Sequence, residues 1–115
     1  MAIFKVQTIS LVGLVGQLIT VEVDIGDGLP NFTLLGLPDA ALNESRDRVR
    51  SAIVNSNLKW VNRRTTVSLS PAWLPKSGSG FDLAIAVALL GASGNLNSAN
   101  LDSTILIGEL GLDGE

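Results

Sequence analysis

The chain has 115 residues, 46% of them hydrophobic and 17% charged, with a net charge of −3. That length holds one domain with a modest core, and the apolar content excludes a disordered tail. Cysteine and histidine are both absent, which excludes disulfides, thiolate chemistry, Ser-His-Asp and Cys-His catalysis, and histidine-ligated zinc.

Residues 3–11 and 17–25 are rich in Ile, Val, Thr and Leu. In the second run Ile19, Val21, Val23 and Ile25 alternate with Thr20, Glu22 and Asp24, as in a strand with one face inward. Gly13 and Gly16 mark the expected turn of a hairpin. The opening residues carry one lysine and no small-x-small cleavage site, so they do not read as a signal peptide.

Gly-Leu-Pro at 28–30 and again at 36–38 brackets a short strand, Asn31 to Leu35, with a turn on each side. A helix is expected from Pro38 or Asp39, with Leu42, Ser45, Val49, Ala52, Ile53 and Ser56 on one face and Asn55 or Asn57 as terminators. Residues 65–70 alternate as a further strand, and Phe81 to Leu90 reads as an apolar helix. The run Leu83 to Ala92 is about half a membrane span, so a cytoplasmic chain without membrane contact is expected. Ser103 to Leu110 is the last predicted strand, ahead of turn residues at Gly111 to Gly114. The predicted order is β-β-β-α-β-α-β, an α+β fold with helices on one face of a sheet. A turn signal so near the end suggests a piece of a longer protein, truncated before a hairpin partner.

The loop Lys76-Ser-Gly-Ser-Gly80 ahead of the second helix is where chemistry would be sought. A Walker loop needs its lysine after the second glycine, and Lys76 precedes both; Leu83 stands where a dinucleotide fingerprint needs a third glycine. A Ser-Lys dyad from Ser77 or Ser79 with Lys76 requires a desolvated lysine, which sequence neighbours rarely supply. The structural alternative is that Asp82 or Ser79 caps the helix while the glycines allow close backbone approach. The acids form no Asp-x-Asp-x-Asp-Gly loop, and Asp24 to Gly28 reads as a turn, so no metal or cofactor site is expected.

Three stretches, GLPNFTLLGLPDAALNESRDRVRSAI, SLSPAWLPKSGSGFDLAIAVALL and IGELGLDGE, resemble the N-terminal region of bacterial ComM-type AAA+ ATPases, often called magnesium chelatase-like. The resemblance implies one module over residues 1–115, similar to the Lon protease domain, with a ribosomal-S5-domain-2-like fold. In Lon-type proteases the corresponding loop is Pro-Lys-Asp-Gly-Pro-Ser-Ala-Gly. Laid without gaps on Pro75 to Asp82, it puts Gly80 at the position of the nucleophilic serine, and no catalytic residue is implied. ATP and Mg²⁺ are expected only in a downstream AAA+ module, which would be this module's own partner. A hexameric ring driving DNA branch migration during uptake and recombination is what the resemblance implies for the parent. A divergent Ser-Lys peptidase and an accessory module for metal insertion are the alternatives.

Charge is uneven. Residues 46–64 hold Arg46, Arg48, Arg50, Lys59, Arg63 and Arg64 against Asp47 alone, a local excess of five in an acidic chain. Such a block could neutralise phosphates, with Trp60 available for stacking on a base. It could equally face a neighbouring subunit, or be a solvated helix laced by ion pairs such as Glu44 with Arg48 and Asp47 with Arg50.

Overall fold

In β2 (Val15–Gly26), Ile19, Val21, Val23 and Ile25 are buried, while Thr20, Glu22 and Asp24 lie half-buried on the opposite face. This is the period of two that a pleat imposes. The computed structural model describes residues 2–12, 15–36, 39–60, 62–70, 80–93, 105–108 and 110–114.

β1 (Ala2–Val12) pairs antiparallel with β2 from Ala2↔Ile25 to Val12↔Val15. Residues 13 and 14, among them the expected turn residue Gly13, lie outside the described residues. Gly16 is not a turn residue as expected; it stands inside β2 opposite Leu11. β3 (Asn31–Leu35) and β4 (Arg64–Ser70) complete a four-stranded sheet in the order β1-β2-β4-β3. β2 and β4 run antiparallel, and β3 and β4 run parallel. A parallel pair needs a long crossover, and α1 (Asp39–Asn55) supplies it.

α1 buries Ser45, Val49, Ala52 and Ile53, as its apolar stripe predicts, whereas Ser56 lies beyond the helix and is exposed. The side chain of Leu42 lies outside the described residues. The helix ends as the asparagines suggest: Asn57 takes φ +63. The Leu58 N–H donates to the Ile53 carbonyl and the Asn57 N–H to the Val54 carbonyl, both at 3.1 Å. These two bonds form a Schellman motif that satisfies carbonyls the helix leaves unpaired.

α2 (Asp82–Ala92) packs on β1 and β2, and α1 packs on α2. Phe81, Ala84, Ile85, Ala88 and Leu89 join Val49 and Ile53 of α1 and the inward side chains of all four strands in one core. Gly91 is a point of close packing between α2 and β1, since a Cβ there would fall 2.5 Å from the Phe4 ring. No helix among the described residues is long and apolar enough to cross a membrane.

The seventh predicted element, Ser103 to Leu110, is represented among the described residues by one parallel bridge, Gln7↔Ile105. The Leu106 N–H donates to the Gln7 carbonyl at 2.9 Å. The segment then turns to the start of α2: Gly108 donates to the Gly80 carbonyl at 3.2 Å and accepts from the Leu83 N–H at 3.1 Å. Those bonds use the backbone groups that a longer ladder with β1 would need.

Candidate nucleic-acid interface

Of the loop residues weighed for catalysis, Lys76, Ser77 and Ser79 lie outside the described residues. Gly80 is described, and it corrects one expectation. Among the described residues nothing stands within 4 Å of the Cβ it lacks, and its φ is not in the left-handed region. Among the described residues, neither close approach nor backbone freedom demands glycine at this position. Gly78, the other glycine of the loop, lies outside the described residues; a tight contact is seen at the far end of the helix, at Gly91.

Asp82 also departs from expectation. Phe81 is the N-cap of α2, and among the described residues no side chain caps the helix; Ser79 lies outside them. Asp82 is the first helical residue, 1% exposed, and its carboxylate turns toward α1. Its Oδ2 accepts from Arg48 Nε at 2.6 Å and its Oδ1 from Arg48 Nη2 at 3.1 Å. Ser45 Oγ donates to Oδ1 at 3.0 Å, and the Leu110 N–H approaches Oδ2 at 3.4 Å. A buried carboxylate is tolerable only when its lone pairs are met this fully, and the bidentate guanidinium fork is the strong form of the pair. Glu44 is a secondary partner of Arg48, at 3.9 Å and largely exposed. This clasp joins α1, α2 and the segment near residue 110, and it removes Arg48 from the basic block.

The sequence offers one signal for the clasp. Asp82 is the sole charge in a helix that is otherwise apolar, and a charge entering a core requires a partner. Ser45 was legible only as a polar gap in the apolar stripe of α1.

The remaining cations sort by position. Arg46 pairs with its neighbour Asp47 at 3.4 Å on the exposed surface of α1; the expected Asp47–Arg50 pair is replaced by that contact. Arg50 lies over the Trp60 ring, 5.9 Å from its centroid. Trp60 packs in turn against Phe32 of β3, with ring centroids 5.5 Å apart and planes tilted by 34°. Trp60 is thus half-buried and covered by Arg50, not an open stacking platform as anticipated.

Arg64 begins β4, paired with Gly26 of β2 and Asn31 of β3. Thr65 next to it is buried toward the helices, so Arg64 and Thr66 point to the other face of the sheet. An open recess of about 390 Å³ lies there, lined by Asp24, Gly26, Asp27, Arg64 and Thr66. Arg63 reaches Asp27 at 3.4 Å, with both side chains more than half exposed. Lys59 is exposed on the connection from α1 to β4.

Arg50, Lys59, Arg63 and Arg64 therefore all lie near the end of the sheet where β4 begins, a rim with Arg50 on the side that carries the helices and Arg64 on the opposite side. Asp24 of β2 and Asp27 just beyond it enter the same rim, a contribution hidden by their distance in sequence. Four cations against two acids leave an excess of two, less than the linear count of five. The Arg63–Asp27 pair is too exposed to hold its charge out of action. Among the described residues no group of three or more metal-ligating side chains is assembled.

Residues 21–115 match the family model described as subunit ChlI of Mg-chelatase. An uncharacterized protein of Mycobacterium tuberculosis is 48% identical over 114 residues, 99% of this chain and 23% of that protein. The uncharacterized protein YifB of Escherichia coli is 47% identical, over 99% of this chain and 22% of its own length. The competence protein ComM of Haemophilus influenzae is 45% identical over 103 residues, 90% of this chain and 20% of its own. The chain spans about a fifth of the length of these relatives.

Proposed function

The chain belongs to the family described as subunit ChlI of Mg-chelatase, in a ComM-type branch, and from that premise we propose that it is the non-catalytic N-terminal module of a cytoplasmic AAA+ ATPase acting on DNA. Its task in this reading is to guide DNA at the mouth of a homo-oligomeric ring. ATP and Mg²⁺ act in the module that would follow it. The reading takes the four-stranded sheet with two helices on one face as the Lon-like, S5-domain-2-like architecture of such modules. Gly80 at the position of a Lon-type nucleophile supports the non-catalytic half.

The observation that carries the DNA half is the rim. Arg50, Lys59, Arg63 and Arg64 gather at one end of the sheet, while Arg48 alone is drawn into the core. A region rich in cations in an acidic chain suits an anionic partner, and the resemblance to ComM-type ATPases suggests that this partner is DNA. The test is charge reversal, Arg63→Glu with Arg64→Glu, in the full-length gene product. DNA retention at low salt should fall by at least tenfold. Unchanged retention with altered ring assembly would instead assign the rim to contacts between subunits.

A further inference from the structure

We infer that the rim engages DNA through its phosphates alone, with Trp60 acting as the seat that positions Arg50 and not as a platform for bases. The inference rests on the proposed DNA reading and names the chemistry of that same site.

Trp60 has an aromatic ring on one side and a cation on the other. Phe32 stands 5.5 Å away at a tilt that locks the indole against the edge of the sheet. The Arg50 guanidinium lies 5.9 Å from the ring centroid. That is within range of attraction between a cation and a ring quadrupole. A base arriving to stack would have to displace Arg50, losing the attraction and expelling a positive charge from beside a polyanion. A phosphate meets no such obstacle. Arg50 itself is exposed, so donors that do not face the ring remain open to phosphate oxygens. An arginine has a long, rotamer-rich stem, and holding it against an indole reduces the entropy lost when it binds. The Arg50–Trp60–Phe32 stack thus converts a mobile surface charge into a placed one.

The experiment compares two strands of equal length and charge, one natural and one with abasic sites throughout, binding the full-length gene product across a salt series. Comparing each variant's effect on both strands isolates this site from DNA contacts elsewhere. Arg50→Gln should weaken binding severalfold on both strands alike and flatten the salt dependence by about one phosphate's worth, roughly 0.7 in log–log slope. Trp60→Phe, which preserves an aromatic seat, should bind within about twofold of wild type on both. Trp60→Leu should follow Arg50→Gln on both. A loss of tenfold or more in Trp60→Leu confined to the natural strand would overturn the inference, because only stacking distinguishes the strands. If Arg50→Gln changes nothing while Arg63→Glu with Arg64→Glu still weakens binding, the seat is overturned and the rim stands. If neither changes binding on either strand, the DNA reading falls and the inference with it.

Discussion

Arg48 and Arg50 leave α1 two residues apart and end in opposite circumstances. Arg48 turns inward to a carboxylate that is 1% exposed, held at 2.6 and 3.1 Å. Arg50 stays at the surface over Trp60. Two steps along a helix rotate a side chain by about 200°, which is enough to separate core from solvent. The clasp and the rim therefore draw on one basic block for unrelated purposes: one joins two helices, the other presents charge. A count of charges along the chain merges them, and only the packing of α2 separates them.

The sharpest way to test that separation is to remove the partner of the inward arginine. Asp82→Ala takes the bidentate carboxylate from Arg48 and removes the acceptor of the Ser45 hydroxyl and the Leu110 N–H. It should cost about 3 kcal/mol, the low end for breaking a buried pair because Arg48 retains some solvent contact. Chemical denaturation of the purified protein would measure this, and Asp82→Asn should lose less because the amide oxygen still accepts. A stability change under about 1 kcal/mol in Asp82→Ala would mean that the clasp contributes little.

Next in size is a backbone test of the frame on which the rim is built. Gly36 follows β3, takes φ +103, and would place a Cβ 2.6 Å from the Leu69 carbonyl oxygen. Gly36→Ala should destabilise by about 2 kcal/mol through strain and collision together. A thermal melt unchanged from wild type would show that β3 is not held against β4 as described. The rim variants should show the reverse pattern. Arg63→Glu with Arg64→Glu should alter stability by only about 0.5 kcal/mol, since exposed pairs contribute little, while DNA retention falls. The smallest expected effect is Gly80→Ser. With open space at that Cβ among the described residues, stability should shift by less than about 0.5 kcal/mol. A fluorophosphonate probe should leave the variant unlabelled, because among the described residues nothing stands within 4 Å of that Cβ to activate a serine. Labelling at residue 80 would reopen the peptidase reading.

The contrast between the two regions also shows which features were legible in the sequence. The faces of β2 followed directly from alternation, because a strand buried on one side repeats every two residues whatever it packs against. β3 was bounded by its flanking turns, and the end of α1 by an asparagine that tolerates a left-handed backbone. The clasp was not legible, because Asp82 and Arg48 are 34 residues apart and their contact depends on how α2 settles on the sheet. The rim was visible as a run of cations, yet its acids arrive from the end of β2 and the turn after it, and its aromatic support from β3. Among the described residues the last predicted strand is represented by a bridge at Ile105, and Gly108 bonds to the start of α2 instead of continuing along β1. Local periodicity specified the elements, and long-range pairing decided which charges faced outward.

The central claim is that the rim meets phosphate, and its most direct test is the salt dependence of DNA binding by the full-length protein. Plotted as log affinity against log salt concentration, Arg63→Glu with Arg64→Glu should give a line shallower than wild type by about 1.5, the equivalent of two phosphate contacts. Two parallel lines would contradict the account.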